Sequence, residues 1–321
     1  MSPMLLCGKA AYHTNFKRRL LLDQFIARLA EITNDRLKLN EPMDRHTTFR
    51  IGGSARVFVT PGTEGELAFA IQAAKDEGIP YYIMGRGSNI LVSDKGINGA
   101  VISTLGLRGA EITGDLIAAS AGETLSGLAE LCRDSSLSGL EFAYGIPGTL
   151  GGAVYMNAGA YGGEVKDLFV SAKALNPDSG EIIELSKEDM GFGYRKSVLQ
   201  LRNLILLSAV VRLSPGSRQA ISEKMNAFKQ SRVDKQPLDF PSAGSAFKRP
   251  KDNFAGKLIM DSGLSGLSIG GARVSEKHCG FIINTGGASA DNVAALIAHI
   301  KDTVSQKFGV VLEPEIIFWG F

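Results

Sequence analysis

Cysteine, histidine and tryptophan are scarce in this chain: three Cys, four His and one Trp among 321 residues. Cys7, Cys132 and Cys279 are odd in number and far apart. They frame no disulfide scaffold and no zinc spacing, and they fit a reducing compartment. His13, His46, His278 and His299 show no ligand spacing either, so no metal site is expected. An excess of one charge is also missing. Lys plus Arg number 35 and Asp plus Glu 33, a net +2. That balance gives no general pull toward nucleic acid or an anionic membrane. Long apolar runs are absent too: the best, residues 204–213, is broken by Ser208 and Arg212, against the ~18 residues a membrane span needs. At the N-terminus, Met4-Leu5-Leu6-Cys7 is too short for an export signal, and Lys17, Arg18 and Arg19 follow it rather than lead. A cytoplasmic, monomeric protein is expected.

Glycine is what the chain has in excess, 38 residues, roughly 12% against an average near 7%. Charged residues are 21% and hydrophobic ones 44%, enough apolar mass for a real core. Around the glycines the pattern alternates between helix and strand. A helix is expected over 17–32, with Leu21, Phe25, Leu29 and Ile32 on one face. Another is expected over 64–77, capped by Thr63 with Glu66 completing a capping box, and ended by Gly78. Short strands follow at 81–84, 90–92 and 100–102, then a short helix at 126–133. Residues 145–163 hold seven glycines, too many for an ordinary helix or strand. Strands at 169–175, 181–185 and 204–213 come next. Ser214-Pro215-Gly216-Ser217 marks the best internal boundary. Helices at 219–232 and 291–308 and a closing strand at 310–318 complete the chain. The organisation expected is a helical segment over 1–40, then a domain over 41–213 of two α+β lobes split near 80. A C-terminal α+β domain over 214–321 follows, its last strand returning to the first domain.

The chemistry sits in the loops. Gly85-Arg86-Gly87-Ser88-Asn89 lies between strands, and Ile90 stands where a Rossmann fingerprint needs its third glycine. Glycine turns of this kind still let backbone N–H groups reach phosphate oxygens, with Ser88 and Asn89 adding side-chain donors. Two such loops with few charges suit a long anionic ligand such as a flavin dinucleotide; a packing crossover in a glycine-rich fold suits them equally. Arg195, Ser245 and Glu315 each have an ordinary reading: a surface Arg, a turn Ser, an edge-strand Glu. Glu315 stands out because its strand neighbours are apolar, so its carboxylate needs a partner or a role. His46 and His278 read as structural, Cys132 as core and Cys279 as a small buried residue. A covalent-flavin oxidase and a non-catalytic nucleotide-binding protein both stay open at this level.

Six motifs in order resemble one family, the UDP-N-acetylenolpyruvoylglucosamine reductases. They are His46-Thr47-Thr48-Phe49-Arg50-Ile51-Gly52-Gly53; the Gly85 loop; and Gly145-Ile146-Pro147-Gly148-Thr149-Leu150-Gly151-Gly152-Ala153 with Met156-Asn157-Ala158-Gly159-Ala160. Then come Tyr194-Arg195-Lys196-Ser197, Ala243-Gly244-Ser245 with Phe247-Lys248, and Leu312-Glu313-Pro314-Glu315. The resemblance implies a vanillyl-alcohol-oxidase-type FAD domain, non-covalent FAD, NADPH as co-substrate and a UDP-sugar enolpyruvyl ether as substrate. It places Arg195, Ser245 and Glu315 as catalytic. It places Arg50, Gly52, Gly53, Gly85, Arg86, Gly87, Ser88, Asn89, Gly145, Ile146, Pro147, Gly148, Thr149, Gly151, Gly152, Ala153, Asn157 and Gly159 at the cofactor. Tyr194, Lys235 and Lys248 are implied at the substrate. Every Tyr lies at or before Tyr194, so the chain resembles the branch of the family without a Tyr-bearing lid loop. Arg249, where an Asn often stands, departs from the family pattern.

Overall fold

The computed structural model describes residues 4–321, with side chains described from residue 19 onward. Cys7 and His13 lie outside the described side chains. The first helix runs Met4–Thr33, longer than the apolar periodicity alone indicates. Its Phe25 and Leu29 are fully buried, while Leu21 and Ile32 are half-buried. Arg28 pairs with Asp76 and Glu77, which ties this helix to the one at Glu64–Asp76. That second helix has the expected cap: the Thr63 hydroxyl accepts from the Glu66 N–H at 3.1 Å. The reciprocal half is displaced by one residue, because the Glu66 carboxylate accepts from Gly62 N–H and pairs with Arg36.

The first lobe is a four-stranded sheet in the order Leu37–Pro42, Ser54–Val59, Ile97–Ser103, Tyr81–Met84. The first pair is antiparallel and the other two are parallel. Glu64–Asp76 is a crossover between parallel strands, so strand 81–84 belongs to the same sheet as strand 54–59. The lobes therefore divide between residues 103 and 110, not near 80. The segment 37–42, expected to end a helical segment at 40, is instead the sheet's edge strand. Val57, Val59, Ala100 and Ile102 share one buried cluster with Leu67, Ile71, Phe25 and Leu29, and burying each large apolar side chain there contributes about 1.5–3 kcal/mol.

The second lobe is an antiparallel sheet of five strands, ordered Ile182–Ser186, Phe169–Leu175, Ile205–Arg212, Leu116–Ser120, Ala110–Thr113. The glycine-rich stretch proves more regular than its composition indicates. It holds the helix Leu150–Tyr155 and the tight hairpin Gly159–Ala160/Gly163–Glu164. Ser214–Pro215 pairs with Leu137–Ser138, and the helix Arg218–Lys235 sends Ile221 and Met225 into the second lobe's core. The turn at 214–217 is thus a boundary in chain direction but not in packing.

The C-terminal unit is a four-stranded sheet ordered Ser242–Ser245, Phe281–Asn284, Ala272–Val274, Ser268–Ile269. The helix Ala290–Phe308 lies on it, burying Val293, Leu296, Ile297, Ile300 and Val304. The last strand is only Ile317–Trp319, and it pairs in parallel with Ile90–Val92 of the first lobe. Further polar ties join these two parts. The Asp94 carboxylate accepts from Ala290 and Asp291 N–H, Asn284 donates to Phe49 O, and Thr48 donates to Ser242 O. Among the described residues no helix is long and apolar enough to cross a membrane, and no cluster of three metal-ligating side chains occurs.

Candidate active site

Ser245 and Glu315, seventy positions apart, are brought together by a short backbone ladder. Glu315 N–H donates to Ala246 O and Lys248 N–H to Glu313 O, both at 2.9 Å. Ser245 owes its direction to a bulge. Ser242 pairs with Ile283 but Ser245 with Phe281, so three steps on one strand face two on the other. Gly244 sits inside that bulge at φ +76°, left-handed backbone that glycine adopts without a Cβ penalty. The Ser245 hydroxyl donates to Phe247 O at 3.0 Å.

Arg195 enters from the second lobe on the tight turn Gly193–Lys196, itself at φ +54°. Its Nε donates to Glu315 Oε1 at 2.6 Å, with side chains 21% and 12% exposed respectively. This is a charge-assisted contact with little water around it. Burial pushes the Glu315 carboxyl above its ordinary range; attraction to Arg195 and Lys248 pulls the other way but does not win. The pair lines an open cleft of about 380 Å³ together with Tyr194, Ser245, Phe247, Arg249 and Phe254. Its far side is built by Gly256, Lys257, Met260, Glu276, Lys277, His278 and Cys279.

The two glycine loops differ in how their donors are used. In the loop Gly85 to Asn89 two carbonyls are engaged: Gly87 O accepts from Thr48 N–H and Asn89 O from Ile317 N–H. Among the described residues, none of its five backbone N–H groups donates to a protein acceptor. Such a run of free donors forms an anion-binding concavity. In the second loop the donors are consumed: Gly145 by the Ser126 hydroxyl, Gly151 by Ala121 O and Leu150 by Glu123 O. Among the described residues Thr149 N–H has no protein acceptor, and the loops touch there, since a Cβ on Gly85 would run into the Thr149 hydroxyl. Gly145 and Pro147 face solvent beside this junction. Gly52 and Gly53 sit at close packing instead, where a Cβ would strike Val92 and the Asp94 carbonyl. Arg50 and Arg86 are exposed, Ala153 is buried, and Gly159 lies in the hairpin ladder.

Two asparagines in these motifs reach toward the catalytic candidates. Asn89 Nδ2 donates to Glu315 O at 3.0 Å. Buried Asn157 donates to Gly193 O at 3.0 Å and to Glu164, gripping the turn that carries Arg195. Tyr194 lines the cleft, and its hydroxyl accepts from Arg249 N–H at 3.0 Å. Lys248 turns away to Glu313, and Lys235 is exposed at the end of its helix; neither lines the cleft. Arg249, Lys277 and His278 line it without any signal in their spacing. His278 Nδ1 accepts from Gly280 N–H at 3.1 Å, and burial lowers its pKa, so the neutral ring carries its proton on Nε2. His46 is structural as expected, bound to Glu41 at 2.8 Å. Burial pushes the Cys132 thiol up to about 12, which makes it inert.

Known proteins resemble this chain over most of its length. Residues 236–319 match the model of the UDP-N-acetylenolpyruvoylglucosamine reductase C-terminal domain, and residues 55–186 that of an FAD binding domain. The reductase of Caldanaerobacter subterraneus subsp. tengcongensis is 50% identical over 301 residues, 91% of this chain and 99% of that one. The Clostridioides difficile reductase is 48% identical, over 93% of this chain and 98% of its own. The crystal structure of the Thermus caldophilus reductase superposes with a TM-score of 0.75 at 33% identity, covering 88% of this chain and 98% of that one. With half its residues shared over nine-tenths of its length, and with an FAD-binding domain ahead of the matching C-terminal domain, this chain belongs to the UDP-N-acetylenolpyruvoylglucosamine reductase family.

Proposed function

We propose that this chain reduces the enolpyruvyl double bond of UDP-N-acetylglucosamine enolpyruvate, giving UDP-N-acetylmuramate for peptidoglycan precursor synthesis. NADPH is the reductant and FAD the non-covalent cofactor. The observation that carries the reading is the Arg195–Glu315 contact of 2.6 Å, in one cleft with Ser245 and hydrogen-bonded to the Gly85 loop through Asn89. The free N–H groups of Gly85 to Asn89 fit a pyrophosphate, and exposed Gly145 and Pro147 leave room for a flat ring to approach backbone. Ser88, Asn89, Thr149 and their glycines would hold FAD. When bound, FAD supplies the hydride transfer from NADPH to the β-carbon of the enol ether.

The remaining chemistry belongs to the protein. Hydride addition at the β-carbon leaves negative charge on the α-carbon and its carboxylate. Arg195 meets that charge with a fixed guanidinium, and Glu315 in its protonated form donates a hydrogen bond to it. Each donor of this kind is worth roughly 10²–10³ in kcat. Ser245 delivers the proton to the α-carbon after its hydroxyl turns from Phe247 O. A serine hydroxyl is a weak acid, and the Arg195 charge in the same cleft makes its proton easier to lose.

The test is the visible spectrum of the purified protein. Expected results are a yellow protein that loses its flavin on acid precipitation, bleaches with NADPH under anaerobic conditions, and recovers its colour with the enolpyruvyl substrate. A colourless protein that takes up no FAD overturns the reading.

A further inference from the structure

Thr48 stands in the first of the six motifs, on the turn at 47–51, and it does not line the cleft. The turn is closed on itself: Arg50 N–H donates to Thr47 O, and the Thr47 hydroxyl donates to Ile51 O at 3.0 Å. Thr48 uses both of its donors across the seam between the first lobe and the C-terminal unit. Its N–H donates to Gly87 O, in the first glycine loop, at 3.2 Å. Its hydroxyl donates to Ser242 O, in the C-terminal unit, at 2.7 Å. Ser242 opens the edge strand whose bulge directs Ser245. An edge strand presents backbone acceptors that no neighbouring strand meets, and here a side chain from the first lobe meets one of them.

Both ends of this span are held firmly. Gly87 is at φ +62°, and a Cβ there would strike His46 O and crowd the Thr47 Cα, so backbone lies directly on backbone between loop and turn. Phe49, next to Thr48, is buried in the C-terminal core with Ala243, Ala246 and Phe247. Its carbonyl accepts from buried Asn284 Nδ2 at 3.1 Å. Asn284 N–H in turn donates to Pro241 O at 2.9 Å, one residue before Ser242. A second arm leaves the same glycine loop: Asn89 donates to Glu315 O, and Glu315 N–H donates to Ala246 O. The loop therefore grips the Ser245 strand at two points, before the bulge through Thr48 and after it through Glu315.

We propose that Thr48 is a positioning residue for Ser245: its hydroxyl fixes the bulge relative to the loop with the free backbone donors. The inference rests on the proposed function for the proton-donor role of Ser245 and for FAD on that loop. Ser245 has to bring its hydroxyl to the α-carbon after hydride addition, and a misplacement of about 1 Å in such a geometry costs up to ~10²-fold in rate. Flavin reduction by NADPH does not use the Ser245 proton, so it does not depend on this span.

The experiment uses the FAD-loaded protein with Thr48→Val, which keeps the shape without the hydroxyl, and Thr48→Ser, which keeps the hydroxyl. Stopped-flow follows NADPH-driven bleaching and substrate-driven reoxidation, the latter in light and heavy water. Thr48→Val is expected to slow reoxidation roughly tenfold or more, the worth of one well-formed hydrogen bond. It should also raise the solvent isotope effect on that step, with FAD content and bleaching near normal, and Thr48→Ser should restore the rate. In a Ser245→Ala background, Thr48→Val should cost little further, because a residue that acts through another is not additive with it. Near-wild-type reoxidation in Thr48→Val overturns the proposal, as do equal slowing of both half-reactions, no rescue by Ser, or full additivity with Ser245→Ala. So does loss of FAD or of the folded state in both Thr48→Val and Thr48→Ala, which makes the hydroxyl a determinant of the fold. Undiminished reoxidation in Ser245→Ala refutes the proton donor of the proposed function, whereas slow reoxidation there beside an unaffected Thr48→Val refutes the positioning role alone.

Discussion

Replacing Glu315 by Gln and by Ala separates a hydrogen-bond donor from a charge. Glu315 is side-chain buried, 2.6 Å from Arg195 Nε, and burial outweighs Arg195 and Lys248 in raising its pKa. Gln keeps the volume, keeps an oxygen for the Arg195 N–H and supplies an N–H toward the substrate. Ala removes all three and leaves a largely buried guanidinium without its acceptor, which costs about 1–3 kcal/mol. Substrate-driven flavin reoxidation should therefore fall roughly 10²–10³-fold in Glu315→Ala and less in Glu315→Gln. The pH dependence has a definite sign. A carboxyl with a raised pKa donates below that value and stops donating as pH rises through it, so the wild-type rate falls on that side while Gln stays flat. Stability follows the same sign: the folded state binds the proton more tightly than the unfolded chain, so stability is full at low pH and declines as pH rises through the folded value. Glu315→Gln should remove that decline in thermal melts. The assay is stopped-flow reoxidation of the reduced enzyme across pH. Equal losses in Gln and Ala, or an unaltered alkaline fall in Gln, would refute the neutral-donor role, and near-wild-type reoxidation in Ala would remove Glu315 from the chemistry.

Ser245→Ala should leave NADPH-driven bleaching near normal and slow reoxidation by orders of magnitude, because its proton is needed only after hydride addition; equal slowing of both half-reactions would make Ser245 structural. Asn89→Ala removes the bond to Glu315 O but leaves the loop's backbone donors, so FAD content should hold while kcat falls roughly tenfold, the worth of one well-formed bond. Loss of FAD with unchanged turnover per bound flavin would show that Asn89 serves the cofactor instead.

Local physics made part of this molecule readable from its residues alone. The helix Ala290–Phe308 announces itself because five apolar side chains repeat at helical spacing and Gly309 ends it. The Thr63 cap and the strands at 81–84 and 169–175 follow from equally short-range rules. The six ordered motifs identify the family, and with it the residues that turn out to share one cleft. What the sequence could not supply is anything decided by long-range pairing. Strand 81–84 joins the sheet of strand 54–59 only because the helix Glu64–Asp76 between them returns the chain in parallel, and this moves the lobe division some twenty-five residues from where a linear reading puts it. Arg195 meets Glu315 only because the final strand crosses back to Ile90–Val92. Asn89 and Asn157 look like ligand donors in a glycine-rich string; the tertiary structure turns their side chains onto the backbone around Glu315 and Arg195. Arg232 reads as one charge on a polar helix, and only the folding of the Tyr161 hairpin over it shows a buried cation with no acid paired to it among the described residues. In each case local spacing fixes the conformation of a segment, while the chemistry depends on which segments the topology brings within a few ångströms of one another.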